Sequence, residues 1–303
     1  MKRVVIITRT KNRPMTLRRT LNSIAAQSFK DYKWVVINDG GSIVKVNEII
    51  DEAERIGIDS TVLHNEHSMG MEASSNYGIT NSLSKYIAFL DDDDTWHPEF
   101  LRKTVAFLDN PSNLCYRGVV TNTLVVEEKF LDTEIISICS YPFAPELDSV
   151  TLFHLARRNY IANLSFVYHR DALETIGLYR EDYPVVGDWE FNLRFLREFD
   201  IGFIPEYLAN CHRRSQTKGS SYNQSDINNI HSKYCAILRN ELLRQDLSTN
   251  SIGLGFVANI AHEIDLLERT IRRGSPIYIS KNIAFTIYKK LISYYKILSH
   301  SLK

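Results

Sequence analysis

The sequence predicts an α/β protein: a Rossmann-like, mostly parallel sheet flanked by helices, followed by a helical C-terminal extension. Two observations lead there. Short apolar runs at 4–8, 34–38, 61–63 and 86–90 alternate with segments of helical spacing, and runs without polar alternation suit strands buried on both faces. From about residue 220 onward, helical spacing dominates to the end. The β-α-β-α order implies parallel strands joined by right-handed crossovers.

Taken in order, the first strand leads into a helix opened by Pro14, which the first helical turn tolerates, with Leu17, Leu21, Ile24 and Ala25 on one face. Further helices are expected over 44–56 and 69–83. In the middle of the chain, 119–126 and 135–140 read as strands, 150–157 as a helix and 166–169 as a strand. Residues 188–199 form an amphipathic helix whose core face would be Phe191, Phe195, Leu196 and Phe199, and 202–204 and 207–211 look extended. The expected division is a first domain over 1–218, with halves of about 1–110 and 111–218, and a helical extension over 219–303. In parallel sheets ligands bind beyond the carboxyl ends of the strands. That rule directs attention to 8–12, 38–42, 65–70 and 91–94.

The chain has 303 residues, 44% hydrophobic and 24% charged, with 36 basic and 36 acidic side chains. These values fit an ordinary globular protein and argue against a nucleic-acid partner held by overall charge. No apolar run approaches the roughly 20 residues of a membrane span, and the start is too short in apolar residues for a signal peptide. The cysteines at 115, 139, 211 and 235 show no C-x-x-C pairing, so a cytoplasmic location is expected.

The sharpest local feature is the apolar run Ala88-Phe89-Leu90 ending in Asp91, Asp92, Asp93 and Asp94. Two carboxylates ~4 Å apart repel by about 4 kcal/mol at an effective dielectric of 20. A hard divalent cation, Mg²⁺ or Mn²⁺, held by one or two carboxylates and substrate phosphates would compensate that cost. Helix capping by Asp94 or Thr95 ahead of Pro98 and Glu99 accounts for one acid of the four.

In sequence order these residues resemble the family 2 nucleotide-sugar glycosyltransferases, which have the GT-A fold. The resemblance runs from about residue 4 to 221. It is carried by Thr10-Lys11-Asn12-Arg13 after the first strand, Gln27-Ser28-Phe29, Asn38-Asp39-Gly40-Gly41-Ser42, a helix start from Gly70 through Asn76 and Gly78, and a DxD-type metal motif at Leu90–Asp94. It implies that Thr10, Lys11, Asn12, Arg13, Gly70 and Asn76 line the nucleotide-sugar pocket and that Asp39 accepts a hydrogen bond from the base. Asp91 and Asp92 would sit beside the ribose or the metal's water shell, with Asp93 and Asp91 as metal ligands. Lys11 replaces the aromatic residue expected to stack on the base, and Ser75 replaces an arginine common before Asn76.

The family also carries a Glu-Asp-x motif at a helix start, with the Asp as catalytic base. The match is Gly187-Asp188-Trp189-Glu190, with Arg194 as the helical arginine and Gly187 in the glutamate's place. The resemblance implies that Asp188 is the base, with Glu190 as its rival, and that Trp189 excludes water and positions the sugar. Read without the resemblance, Asp188 is an N-cap. A later stretch, Cys211-His212-Arg213-Arg214-Ser215 with Lys218 to Ser221, resembles a segment that folds over the diphosphate. It suggests His212 as a further metal ligand and Arg213 or Arg214 as a phosphate partner; read alone it is a basic surface loop.

The reading is therefore a metal-dependent, inverting transferase that moves one sugar from a nucleoside diphosphate to a saccharide or lipid-linked saccharide acceptor in surface-polysaccharide synthesis. Two alternatives stand beside it. One is a relative that binds carbohydrate or nucleotide without turnover. The other is a nucleotidyltransferase, for which 8–14 lacks the expected glycine-rich phosphate loop. Finally, residues 269–303 hold eight basic side chains and no acidic one, interleaved with Tyr288, Leu291, Tyr294, Tyr295 and Leu298. Such a stretch either lies on an anionic membrane surface, which makes the protein peripheral on the inner face, or packs its apolar side on the first domain.

Overall fold

The apolar runs pair as strands of one nine-stranded sheet in a computed structural model that describes residues 1–131, 134–214 and 224–274. Strands β1 (Lys2–Thr10), β2 (Tyr32–Asp39), β3 (Ser60–Asn65) and β4 (Ser84–Phe89) lie parallel in the order β3-β2-β1-β4. The sheet then continues through β8 (Phe166–His169), β6 (Tyr116–Leu131), β9 (Asp200–Arg214) and the two-residue β5 (Thr95–Trp96), and β7 (Glu134–Pro142) flanks β6. Here the directions mix. Strand β8 runs antiparallel to both β4 and β6, while β6 and β9 are parallel.

Strands β1, β2 and β4 bury both faces, as unalternated apolar runs require. On one side Val4, Ile6, Trp34, Val36 and Ala88 pack against Leu17, Leu21 and Ile24 of α1 (Pro14–Ala25) and Val46 and Ile49 of α2 (Ile43–Arg55). Phe100 and Leu101 of α4 (Phe100–Asp109) complete that layer. On the other side Val5, Ile7, Ile37 and Phe89 meet α3 (Met71–Thr80), α5 (Leu152–Arg157), α6 (Ala172–Ile176) and α7 (Gly187–Glu198). The last described helices, α8 (Gln224–Ser248) and α9 (Leu254–Gly274), join this second layer through Leu238 and Ala258.

Helix α3 approaches the sheet closely at Gly78, where an added Cβ would stand 2.8 Å from Ile37 Cδ1 and 2.9 Å from Ile7 Cγ2. Both isoleucines are fully buried and β-branched, so neither yields easily. Gly78→Ala is expected to destabilise the protein by about 1–3 kcal/mol, the usual cost of overpacking. A urea midpoint unchanged from wild type would show that α3 has slack there.

Strand β9 unites the two extended stretches expected around residue 205. Its pairing with β6 skips at that point: Thr121 faces Ile204 while Asn122 faces Tyr207. Pro205, which has no backbone N–H for the ladder, falls in the irregularity. Of the basic run, Arg269 pairs with Asp265 and Arg272 with Glu268 one turn earlier in α9; residues 275–303 lie outside the described residues, as do Ser215 and Lys218 to Ser221. Among the described residues no helix is long and apolar enough to cross a membrane.

Candidate active site

The carboxyl ends of β1, β2 and β4 meet at one edge of the sheet. Leu90 closes against β1, its N–H donating to Ile7 O at 3.0 Å and its carbonyl accepting from Thr8 Oγ1 at 2.7 Å. The chain then turns sharply, with Asp94 N donating to Asp91 O, and all four acids are delivered within one turn.

The structure answers their mutual repulsion with arginines. Arg9 lies on the face of β1 that Val5 and Ile7 also occupy. Its Nε donates to Asp91 Oδ1 at 2.9 Å, and its Nη2 lies 2.7 Å from both oxygens. Asp92 is buried, accepting from Thr10 Oγ1 at 2.7 Å and from Arg13 Nη1 at 3.2 Å. Burial and the neighbouring Asp93 push its carboxyl up to about 7. Asp93 receives Arg13 Nη1 at 3.2 Å and Arg214 Nη2, and its carbonyl accepts from Arg19. Asp94, also buried, accepts the His212 N–H at 2.9 Å. Besides the expected cation, protein charge thus offsets the tetrad: guanidinium groups contact three of its members.

Asp91 and Asp93 remain the outer pair, with side chains 31% and 20% exposed. Two accessible carboxylates fit a hard divalent cation that takes its other ligands from a diphosphate and water. They make no closed cage; among the described residues no three His, Cys, Asp or Glu side chains converge as a ligand set. His212 does not join them. Its Nδ1 lies 2.6 Å from Glu128 Oε1 and its Nε2 2.8 Å from Thr95 Oγ1, so both ring nitrogens are occupied. Burial and the nearby Arg19 lower its pKa, which favours a neutral ring acting as a strut between β6 and β5.

Several other expected contacts take different places. The Thr10 hydroxyl is spent on Asp92. Asp39 accepts from Asn65 Nδ2, Ser68 Oγ, Met69 N and Gly70 N at 2.7–3.2 Å. Those bonds hold its pKa below the usual carboxylate value against the effect of burial. They match the roughly four lone-pair sites of a carboxylate, so Asp39 shapes the loop before α3, which turns at Gly70 with φ of 93°. Asn76, a buried residue of α3, gives Nδ2 to Tyr179 O and Glu181 Oε1 and accepts Tyr179 N, so its amide ties α3 to the chain before α7. Lys11, Asn12 and Arg13 are exposed at the turn after β1, where Asn12 Oδ1 accepts Ser42 N at 2.9 Å and ties this turn to the one after β2.

Asp188 enters from the opposite side of the cleft, in the first turn of α7, where a carboxylate suits the helix dipole. Val186 just before it has φ of 61°, a strained conformation for a β-branched residue. Asp188 Oδ2 accepts from Asn159 Nδ2 at 2.9 Å and Oδ1 from Trp189 N at 2.8 Å. Burial raises its pKa, opposed by these bonds and by Arg9 and His231. Trp189 is buried, its indole N–H on Leu155 O at 2.7 Å. The rival Glu190 is locked to Arg194, whose Nε and Nη2 lie 2.6 and 2.8 Å from its two oxygens. A cleft of about 650 Å³ is lined by Asp91, Asp94, Asp188, Trp189 and Arg213, and by Arg239 and His262 of the C-terminal helices. Arg213 stacks over Phe143 at 5.8 Å.

Residues 5–169 match the family model described as glycosyl transferase family 2. The chain belongs to that family. A PGL/p-HBAD biosynthesis glycosyltransferase of Mycobacterium bovis is 28% identical over 193 residues, which cover 62% of this chain and 68% of that protein. An uncharacterised glycosyltransferase of Haemophilus influenzae is 20% identical over 280 residues, covering 91% and 82%. Among solved structures, residues 1–349 of TarS from S. aureus superpose with a TM-score of 0.58 at 18% identity, covering 80% of this chain and 65% of that one. A mannosyltransferase from Pyrobaculum calidifontis, solved with GDP-Man and Mn²⁺, gives 0.55 at 12% identity, covering 97% and 83%. At such identities the superpositions speak for the fold alone, which is GT-A.

Arg9, Arg19, Glu72 and Glu128 are the site residues that sequence reading missed. Arg9 had a signal: two residues after Ile7 on a buried strand, it continues an inward face. The others meet the site only through tertiary folding.

Proposed function

We propose that this glycosyltransferase moves one sugar from a nucleoside-diphosphate donor to a hydroxyl of a saccharide or lipid-linked saccharide, with inversion at the anomeric carbon. The observation that carries the reading is the single cleft shared by Asp91 and Asp94 at the end of β4 and by Asp188 and Trp189 at the start of α7. Its half-buried carboxylate at Asp188 stands across from the edge where the diphosphate would lie. Asp188 takes the acceptor hydroxyl's proton as that oxygen attacks the anomeric carbon and the bond to the diphosphate breaks. Trp189 walls the cleft against water. Arg213, which lines the cleft with its guanidinium over Phe143, offers charge to a phosphate.

Mn²⁺ or Mg²⁺ held by Asp91 and Asp93 would supply Lewis-acid stabilisation of the leaving diphosphate. TarS has been solved with UDP and with UDP-GlcNAc, which together with the GDP-Man complex supports a nucleotide-sugar donor without fixing its base. A surface-polysaccharide acceptor at the inner membrane face, reached through the basic stretch 269–303, rests on the charge pattern of that stretch.

The test is a panel of nucleotide sugars, UDP-GlcNAc and GDP-mannose included, with Mn²⁺ or Mg²⁺ and candidate saccharide acceptors, reading released nucleoside diphosphate. Release from at least one donor, lost in EDTA and restored by metal, is expected. Release that persists in EDTA removes the cation from the scheme. No release across the panel overturns the transferase reading in favour of a binding role.

A further inference from the structure

We infer that Glu72, reaching from α3 into the space that a side chain at position 187 would fill, is a positioning residue for Asp188. The inference deepens the assignment of Asp188 as base and rests on it.

Two independent observations carry it. Glu72 is only 6% exposed, yet its Oε2 has no hydrogen-bond partner among the described residues. A buried carboxyl with an unanswered oxygen costs free energy that an apolar side chain would not, so packing alone gives no reason for it. The second observation is what that carboxyl touches. A Cβ built on Gly187 would stand 2.5 Å from Glu72 Oε1, 2.6 Å from Cδ and 2.7 Å from Cγ. The first residue of α7 is thus a glycine against which the Glu72 carboxyl lies flat, and the next residue is Asp188.

The charges around Glu72 fit this place. Arg9, Asp188, Asp91, Glu190 and the Tyr179 hydroxyl all face it. Burial pushes Glu72 up to about 7, against the pull of Arg9 and with the like charges of Asp188, Asp91 and Glu190 adding to the rise. The two sequence departures of this region also meet here. Gly187 stands where the family pattern has a glutamate, and Glu72 fills its space. Ser75 stands where the pattern has an arginine, and Arg9 Nη1 lies 3.1 Å from Ser75 Oγ.

In the transfer step the acceptor proton goes to Asp188, not to Glu72. Glu72 holds the backbone that carries the base and sets the charge beside it. Its loss should therefore fall on turnover rather than on donor binding.

The experiment uses the full chain and the nucleotide sugar that the wild type turns over in the panel, reading nucleoside diphosphate release. Glu72→Gln, which keeps the shape, is expected to lower kcat about tenfold or more and leave donor KM within about twofold. The double variant Glu72→Ala with Gly187→Glu returns a carboxyl to the vacated space from the other side, and should recover much of the turnover lost by Glu72→Ala alone. Folding of each variant is checked by its thermal midpoint. A Glu72→Gln kcat within about twofold of wild type, a loss carried by KM instead, or a folded double variant without recovery overturns the inference. Asp188→Asn run alongside separates the failures. If it retains wild-type turnover, the base assignment falls; if it is inactive while Glu72→Gln is unaffected, only the role of Glu72 falls.

Discussion

Asparagine in place of Asp188 is expected to lower turnover by about 10²–10⁴-fold while donor affinity stays nearly unchanged, the loss usual for a missing general base. The substitution keeps size and shape. The carboxamide oxygen can still accept one of the two hydrogen bonds that Asp188 takes from Asn159 and Trp189, so the start of α7 keeps much of its support. What disappears is the ability to hold a proton. Burial raises the Asp188 pKa, which makes the carboxylate a stronger base than an exposed aspartate. The same shift has a pH signature. The reaction needs the ionised form, so kcat/KM should fall on acidification at a pH above the ordinary carboxylate range, and that acidic limb should vanish with the aspartate. Steady-state nucleoside diphosphate release gives the first quantity and calorimetric titration of the donor the second. A variant that loses donor binding as severely as turnover would make Asp188 a donor-holding residue instead.

The sequence was most legible where one period ran undisturbed. The strands at 4–8, 34–38, 61–63 and 86–90 all appear, each longer by a residue or more because polar ends such as Lys2, Arg9 and Asn65 pair in the ladder without adding to an apolar run. Strand direction beyond β4 was not legible, since β8 reverses by a tertiary choice that no local pattern encodes. Strand β5, two residues long, has no period to detect, and α4 surfaced only as an alternative reading of its capping acids. In the site, the acidic turn was readable because four adjacent carboxylates are costly without a compensating charge, and Asp188 only through the resemblance of its motif. Their partners were not. Arg9 contacts Asp91 across 82 positions, and Arg19 contacts Glu128 across 109. Glu72 meets Gly187 only because α3 and α7 cover the same face of the sheet. The partners of Asn76 and His212 were likewise illegible: Tyr179 and Glu181 for the first, Glu128 and Thr95 for the second, are all distant in sequence.

Removing the Arg9 side chain as Arg9→Ala is expected to cost about 1–3 kcal/mol of stability, more than an exposed pair and less than a fully buried one, because its partner Asp91 is partly open to water. The Arg9 side chain is 12% exposed and grips Asp91 through Nε and Nη2. It also offsets the charge of Glu72 and Asp188. Without it Asp91, Glu72 and Asp188 lose the guanidinium they share, and each must either stay charged with less compensation or take up a proton. A contrast variant fixes the scale: Arg18→Ala, which breaks the half-exposed pair with Glu52, should cost about 0–1 kcal/mol. Urea unfolding of both variants measures the difference. The pH dependence supplies a second check. Glu72 already titrates near 7 in the folded chain, above its ordinary 4.5, with Arg9 pulling it down; loss of Arg9 raises it further. Between the unfolded and folded values the native state binds more protons than the unfolded one, so stability falls as pH rises. Both forms follow the same slope below about 7, so the Arg9→Ala deficit should be steady from pH 5 to about 7 and widen above it, toward pH 8. A deficit that stays flat up to pH 8 would mean the missing arginine is felt through packing on Phe89, over which it lies at 5.8 Å, and not through the acids it faces.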